Sequence, residues 1–206
     1  MSPHNTVIVF DLHGVLFKHD YKKMAISILK HPQKLKLLLA VLSPSLWIDT
    51  IKLLKKGAIA EEFLVGLADN HHRLKPFVPF LIRVSNMQIP QKPVLELCKK
   101  LKNQGYKLYI LSNIGSIIFQ DFKKRFPEII KLFHGITIPS RETGYIHKPD
   151  PLAFSQFTDK NDLQSKKIIF IDDKRKNVKK ALELEIWAIL FKSTENLETE
   201  LKMYVK

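Results

Sequence analysis

Seven residues have the types and placement to do chemistry if the fold brings them together: Asp11, His13, Ser112, Asn113, Lys148, Asp172 and Asp173. Asp11 ends the apolar run TVIVF at 6–10, Ser112 and Asn113 follow YKLYIL at 106–111, and Asp172 and Asp173 follow KIIFI at 167–171. Lys148 stands in the loop GYIHKPDP, just before a helix that Asp150 is placed to cap and Pro151 to open. In an open parallel sheet, ligands bind at the carboxyl ends of the strands, and that is where these side chains cluster. Taken one at a time they read as helix caps, turns or surface charge. Taken together, three acids, an ammonium and a hydroxyl make a pocket able to hold a cation and an anion at once.

The elements that must position them are short and nearly continuous in apolarity, as strands covered on both faces should be. Besides the three runs above, HGITI at 134–138 and IWAIL at 186–190 have this character. Helices alternate with them. After Pro93, Val94, Leu97, Cys98 and Leu101 recur at i, i+3, i+4 and i+7, with lysines opposite and a stop near Gly105. Cys98 is therefore read as a core thiol. Val178, Ala181 and Leu182 repeat the spacing after Asp172. The alternation predicts an α/β fold with a Rossmann-like parallel sheet.

Residues 18–90 break the pattern, with helical periodicity and no convincing strand. Tyr21, Met24, Ala25, Ile28 and Leu29 form one stripe; Ala60, Phe63, Leu64, Leu67 and Ala68 form another. Between them, a helix opened by Ser43 and Pro44 carries Trp47, Ile51 and Leu54 and stops near Gly57. LKLLLAVL at 35–42 is far short of the ~20 residues of a membrane span and is read as a buried helix.

Composition narrows the classes. At 206 residues with 45% apolar content, the chain suits one domain or a core domain with a sizeable insertion. One cysteine excludes an internal disulfide framework, and the apolar run before Asp11 is too short for a signal peptide, so a cytoplasmic location is expected. Lys plus Arg at 34 against Asp plus Glu at 20 gives +14, but the basic pairs are scattered, as on a solvated surface, and no specific nucleic-acid binding is expected. No glycine-rich nucleotide loop is present. His71 and His72 are adjacent and point apart on a helix, with no further ligand at zinc spacing. His147 is read as an exposed loop residue.

On these motifs the chain resembles the haloacid-dehalogenase-like hydrolases across nearly its whole length. VFDLHGVLF is similar to the family's first motif, ILSN to its second, KPDP to its third and FIDDKRKNV to its fourth, in family order. The resemblance implies a sheet with neighbouring strand order 5-4-1-2-3, a core formed by 1–17 and 91–206, and an α-helical cap inserted at 18–90. It also implies roles. Asp11 would attack phosphorus to give an aspartyl-phosphate; Asp11, Asp172 and the main-chain oxygen of His13 would hold Mg²⁺, with Asp173 behind them. Ser112, Asn113 and Lys148 would bind or orient the phosphate of a small phosphorylated substrate.

His13 is the departure, because family phosphatases carry an aspartate there that protonates the leaving group and then activates water. A neutral imidazole beside a cation donates poorly, so the proton-transfer half of the reaction is weakened while the main-chain metal contact survives. Three functions therefore remain open: a Mg²⁺-dependent phosphohydrolase with His13 as its acid-base residue in place of the usual aspartate, a weakened or inactive protein binding a phosphorylated or polyanionic ligand, and a 2-haloacid dehalogenase. The intact IDD favours the metal-dependent chemistry over dehalogenation. Substrate identity and oligomeric state are left open by the sequence.

Overall fold

A computed structural model describes residues 2–55, 66–141 and 143–205 of the chain. Five strands, β1 (Thr6–Phe10), β4 (Lys107–Leu111), β5 (Gly135–Thr137), β6 (Lys167–Asp172) and β7 (Trp187–Leu190), form one parallel sheet in the order β5-β4-β1-β6-β7. The labels differ from the expected 5-4-1-2-3 because two further strands, β2 (Phe17–His19) and β3 (Gln88–Pro90), enter the count. Numbered over the parallel strands alone, the order is 3-2-1-4-5, the expected one read from the opposite edge.

The central strands are buried on both faces, and their side chains sort with period two. Ile8, Phe10, Leu108, Ile110, Ile169 and Ile171 join one apolar cluster; Val7, Val9, Tyr109, Leu111, Ile168 and Phe170 join another. The first is covered by helices Lys92–Asn103, Ser116–Arg125 and Thr194–Leu201, the second by Pro151–Lys160 and Arg175–Glu183. Cys98 lies in the first cluster, where burial pushes its thiol up and leaves it un-ionised.

Residues 18–90 hold the largest departures from expectation. They are not free of strand: β2 and β3 pair antiparallel, with Phe17 opposite Pro90, Lys18 opposite Ile89 and His19 opposite Gln88. Three residues are too few to show an alternation, so the sequence carried no strand signal there. A third apolar cluster gathers Leu37, Ala40, Leu46, Leu67, Ala68, Leu74, Phe77, Phe80 and Val84. Ala60, Phe63, Leu64 and Gly57, of the expected second stripe and helix stop, lie outside the described residues. Helix Tyr21–Leu29 has no buried residue, and Leu35, Leu38, Leu39 and Leu42 of LKLLLAVL are exposed. That segment is apolar nearly all round, and one neighbouring layer covers only the side of Leu37 and Ala40.

Candidate active site at the carboxyl edge of the sheet

β1 delivers Asp11 to its place through the ladder itself. The Asp11 amide donates to the Ile171 carbonyl at 2.8 Å, continuing the β1–β6 pairing by one residue. The two strands therefore present Asp11 and Asp172 side by side, and both are buried. Carboxylate oxygens of Asp11, Asp172 and Asp173 all lie within 4.8 Å of one another. Lys148 enters from the loop before helix Pro151–Lys160, whose first turn Asp150 caps by accepting from the Leu152 amide at 2.9 Å. The lysine is only 1% exposed, and its Nζ stands 3.0 Å from Asp11 Oδ1 and 2.6 Å from Asp172 Oδ2 and lies 5.0 Å from the centre of the Phe170 ring.

Two amides lock this arrangement. Asn113 Nδ2 donates to the Lys148 carbonyl at 2.7 Å, while the Lys148 amide donates to Asn113 Oδ1 at 2.9 Å. The Asn113 side chain thus holds the main chain of the lysine loop. Asn177, which the sequence reading gave no role, donates to Asp172 Oδ2 at 2.9 Å, and the Lys174 amide donates to Asp172 Oδ1 at 2.8 Å. Its signal was a polar residue on the buried face of helix Arg175–Glu183, at i, i+4 spacing with Ala181. Ser112 is buried at the end of β4, its amide bonded to the Thr137 carbonyl at 3.1 Å.

The electrostatics follow from burial. Burial alone would pull the Lys148 ammonium down, but the charges of Asp11 and Asp172 and a hydrogen bond with each hold it above the ordinary lysine value. Burial pushes Asp172 up against the pull of Lys148, and the charge of Asp11 adds to the rise. Asp173 keeps an exposed side, yet partial burial first, then Asp11 and Asp172, push its carboxyl up to about 6. Three carboxylates against one ammonium leave two negative charges uncompensated when all are ionised. An all-oxygen donor set with that charge fits a hard divalent cation such as Mg²⁺.

Gly14 is fixed by the same cluster. Its φ of +92° favours glycine, and a Cβ there would collide with the Asp173 carboxylate. Gln91 braces this turn, donating to the Gly14 and Val15 carbonyls at 3.0 and 2.8 Å.

His13 is seated among uncharged or positive neighbours. Its ring stacks on His19 with centroids 5.8 Å apart, and its Nε2 lies 2.5 Å from Gln88 Nε2. Burial, then His19, Lys174 and Lys148, lower its pKa to about 3 despite the Gln88 contact, so the ring is neutral at physiological pH. Burial is the chief cause, in place of the adjacent metal that the sequence suggests. Gln88 and His19 were not foreseen, since both sit on the undetected β2–β3 ribbon.

The remaining histidines separate. His71 Nε2, just before the 3-10 helix His72–Phe77, is 3.1 Å from Asp49 Oδ2 on helix Pro44–Lys55, an ordinary pair, and His72 is exposed. His147 is half-buried and not an exposed loop residue, and its Nδ1 is buried without a hydrogen-bond partner.

A doubly covered parallel sheet with charged groups gathered at its carboxyl edge defines a Rossmann-like α/β protein with its ligand site at the strand ends. More narrowly, the chain belongs to the haloacid dehalogenase-like hydrolase family, whose model matches residues 6–182. Among solved structures it is similar to a HAD family enzyme from Bacteroides thetaiotaomicron, with 23% identity over 98% of this chain and 99% of that one and a TM-score of 0.64. The wild-type form of that enzyme in complex with magnesium and inorganic phosphate matches with 23% identity, 91% and 94% coverage and a TM-score of 0.61. L-2-haloacid dehalogenase from Xanthobacter autotrophicus with chloropropionic acid covalently bound matches with 17% identity over 100% of this chain and 84% of that one, at a TM-score of 0.63. No curated protein matches the chain by sequence.

Proposed function

We propose that the protein is a Mg²⁺-dependent phosphohydrolase acting on a small phosphorylated metabolite through an aspartyl-phosphate on Asp11. The observation that carries this reading is the gathering of Asp11, Asp172 and Asp173 within 4.8 Å of one another, with Lys148 bonded to the first two. The relative in complex with magnesium and inorganic phosphate supports it.

A carboxylate oxygen of Asp11 attacks phosphorus in line, the ester P–O bond breaks, and the departing oxygen takes a proton from solvent water. Water then attacks phosphorus, the P–O bond to Asp11 breaks, inorganic phosphate leaves, and the carboxylate is restored. Asp11, Asp172 and the main-chain oxygen of His13 would hold the cation, with Asp173 behind them; when bound it neutralises charge on the phosphoryl oxygens. Lys148 and Ser112 bind those oxygens, and Asn113 positions Lys148 through its main chain. In this reading residues 18–90 act as a helical cap over a core of 1–17 and 91–206, and the location is cytoplasmic.

Proton transfer is the weak point. A His13 ring with a pKa near 3 is neutral and donates poorly to an alkoxide, which favours a second reading in which the phosphorylated ligand is bound and turned over slowly or not at all. Phosphate release from a panel of monoesters, with and without Mg²⁺ and against Asp11→Asn, tests the first reading. Mg²⁺-dependent release lost in the variant supports it; equal release from both proteins ends it. His13→Asp raises turnover if proton transfer limits the rate. Halide release from 2-haloacids without metal would replace both readings with dehalogenation.

A further inference from the structure

Helices Tyr21–Leu29, Lys34–Val41 and Pro44–Lys55 present large apolar side chains to solvent at helical spacing. Among the described residues, 18 large apolar side chains are exposed, and 11 of these lie between Tyr21 and Ile51. On the second helix and its C-cap, Leu35, Leu38, Leu39 and Leu42 follow i, i+3, i+4 and i+7 and are 53–69% exposed. Leu37 and Ala40, on the other side, are already committed to the third apolar cluster. Trp47, Ile48 and Ile51 repeat the pattern on the next helix at 52–59% exposure. Apolar exposure this dense marks an interaction surface.

The charge of the same segment says what covers it. Residues 21–55 contain seven lysines and one acid, Asp49, a net +6. Lys22, Lys23, Lys30, Lys34, Lys36 and Lys52 are exposed, and among the described residues only Lys52 forms an ion pair, with Asp49 at 3.4 Å. Beside Leu39, a groove of about 370 Å³ combines Lys36 and Arg73 with the apolar walls of Pro76 and Phe77.

We propose that this face docks peripherally on the anionic leaflet of a lipid bilayer. A second copy of the chain would set +6 against +6. Nucleic acid would satisfy the lysines and leave the leucines and Trp47 in water. An anionic bilayer meets both demands: leucine and isoleucine enter the boundary between headgroups and acyl chains, Trp47 sits at headgroup level, and lysine stems lie along the interface with their ammoniums among phosphates. These helices have 8–12 residues, and no helix among the described residues is long and apolar enough to cross a membrane, so the contact is interfacial.

The full chain is tested by co-sedimentation with phosphatidylcholine vesicles and with vesicles containing one-third phosphatidylglycerol. Binding is expected to be at least about ten-fold tighter to the anionic vesicles and to fall with added salt. In Trp187→Phe, Trp47 is the single tryptophan left, and its emission shifts to the blue on those vesicles. Leu39→Glu and, separately, Lys34→Glu with Lys36→Glu lose most of the binding while keeping the thermal unfolding midpoint, since all three positions are exposed. Asp11→Asn binds as the wild type does, which separates this proposal from the phosphohydrolase reading. No preference for anionic vesicles overturns it, as does binding indifferent to both surface variants. A dimer in sedimentation velocity that Leu39→Glu abolishes, without vesicle binding, would assign the face to a second copy; nucleic-acid binding that survives Leu39→Glu, without vesicle binding, would assign it to a polyanion.

Discussion

The carboxyl edge of the sheet and the helical segment 21–55 invert each other. At the edge, Asp11, Lys148 and Asp172 are charged and buried, each within 3.0 Å of an opposite charge. In the helical segment, leucine, isoleucine and tryptophan stand in solvent among lysines. Burying a charge is tolerated where partners are built around it, and exposing apolar surface is tolerated where no neighbouring layer exists to cover it. Residue type states a preference; the number of neighbours decides whether it is met.

The difference can be broken from either side, and the largest effect belongs to the edge. Asp11→Asn removes the proposed nucleophile and, on the phosphohydrolase reading, is expected to lower phosphate release by about 10³-fold or more, measured as initial rates with saturating Mg²⁺. Lys148→Ala leaves two buried carboxylates without their cation and should cost about 3–5 kcal/mol in urea unfolding under EDTA. The loss should shrink as pH falls, because protonating Asp172 removes the unpaired charge, and Mg²⁺ should restore part of it.

Two neighbours on one helix sharpen the contrast at lower energy. Leu37 is 4% exposed and Leu39 63% exposed. Leu37→Ala should cost about 2–3 kcal/mol, whereas Leu39→Ala should change stability by no more than about 0.5 kcal/mol, read from the same unfolding curves. Equal costs would mean that the exposed stripe is packed in solution.

The smallest effect concerns Asp173. Its folded value, about 6, lies above the ordinary 3.8, so the native state binds more protons between the two. The contribution of Asp173 to the unfolding free energy of the metal-free protein should therefore be fully present below about 4 and be lost as pH rises through about 6. Because the residue keeps an exposed side, the change amounts to about 1 kcal/mol, and Asp173→Asn should flatten it.

Much of this is legible in the sequence. Short, nearly continuous apolar runs marked the five parallel strands, and helix spacing placed Val94, Leu97, Cys98 and Leu101 in the core. The acids and the lysine were legible because each ends or precedes an element. The ribbon of β2 and β3 was not, for three residues carry no period, and the contacts of His13 with Gln88 and His19 were lost with it. Nor could spacing show that Tyr21, Ala25, Ile28 and Leu29 share an uncovered face, since a stripe looks the same whether a layer packs on it or not.

By itself the sequence determined the order and type of the main elements, which residues share a face, and which charges close the strands, because period and chain direction are local properties of the backbone. Only the tertiary structure decided that Lys148 lies between Asp11 and Asp172, that Asn113 grips its main chain, that His13 is desolvated to a pKa near 3, and that the leucines of 35–42 divide between core and solvent. Those are distances between segments far apart in the chain, and burial and charge coupling depend on such distances.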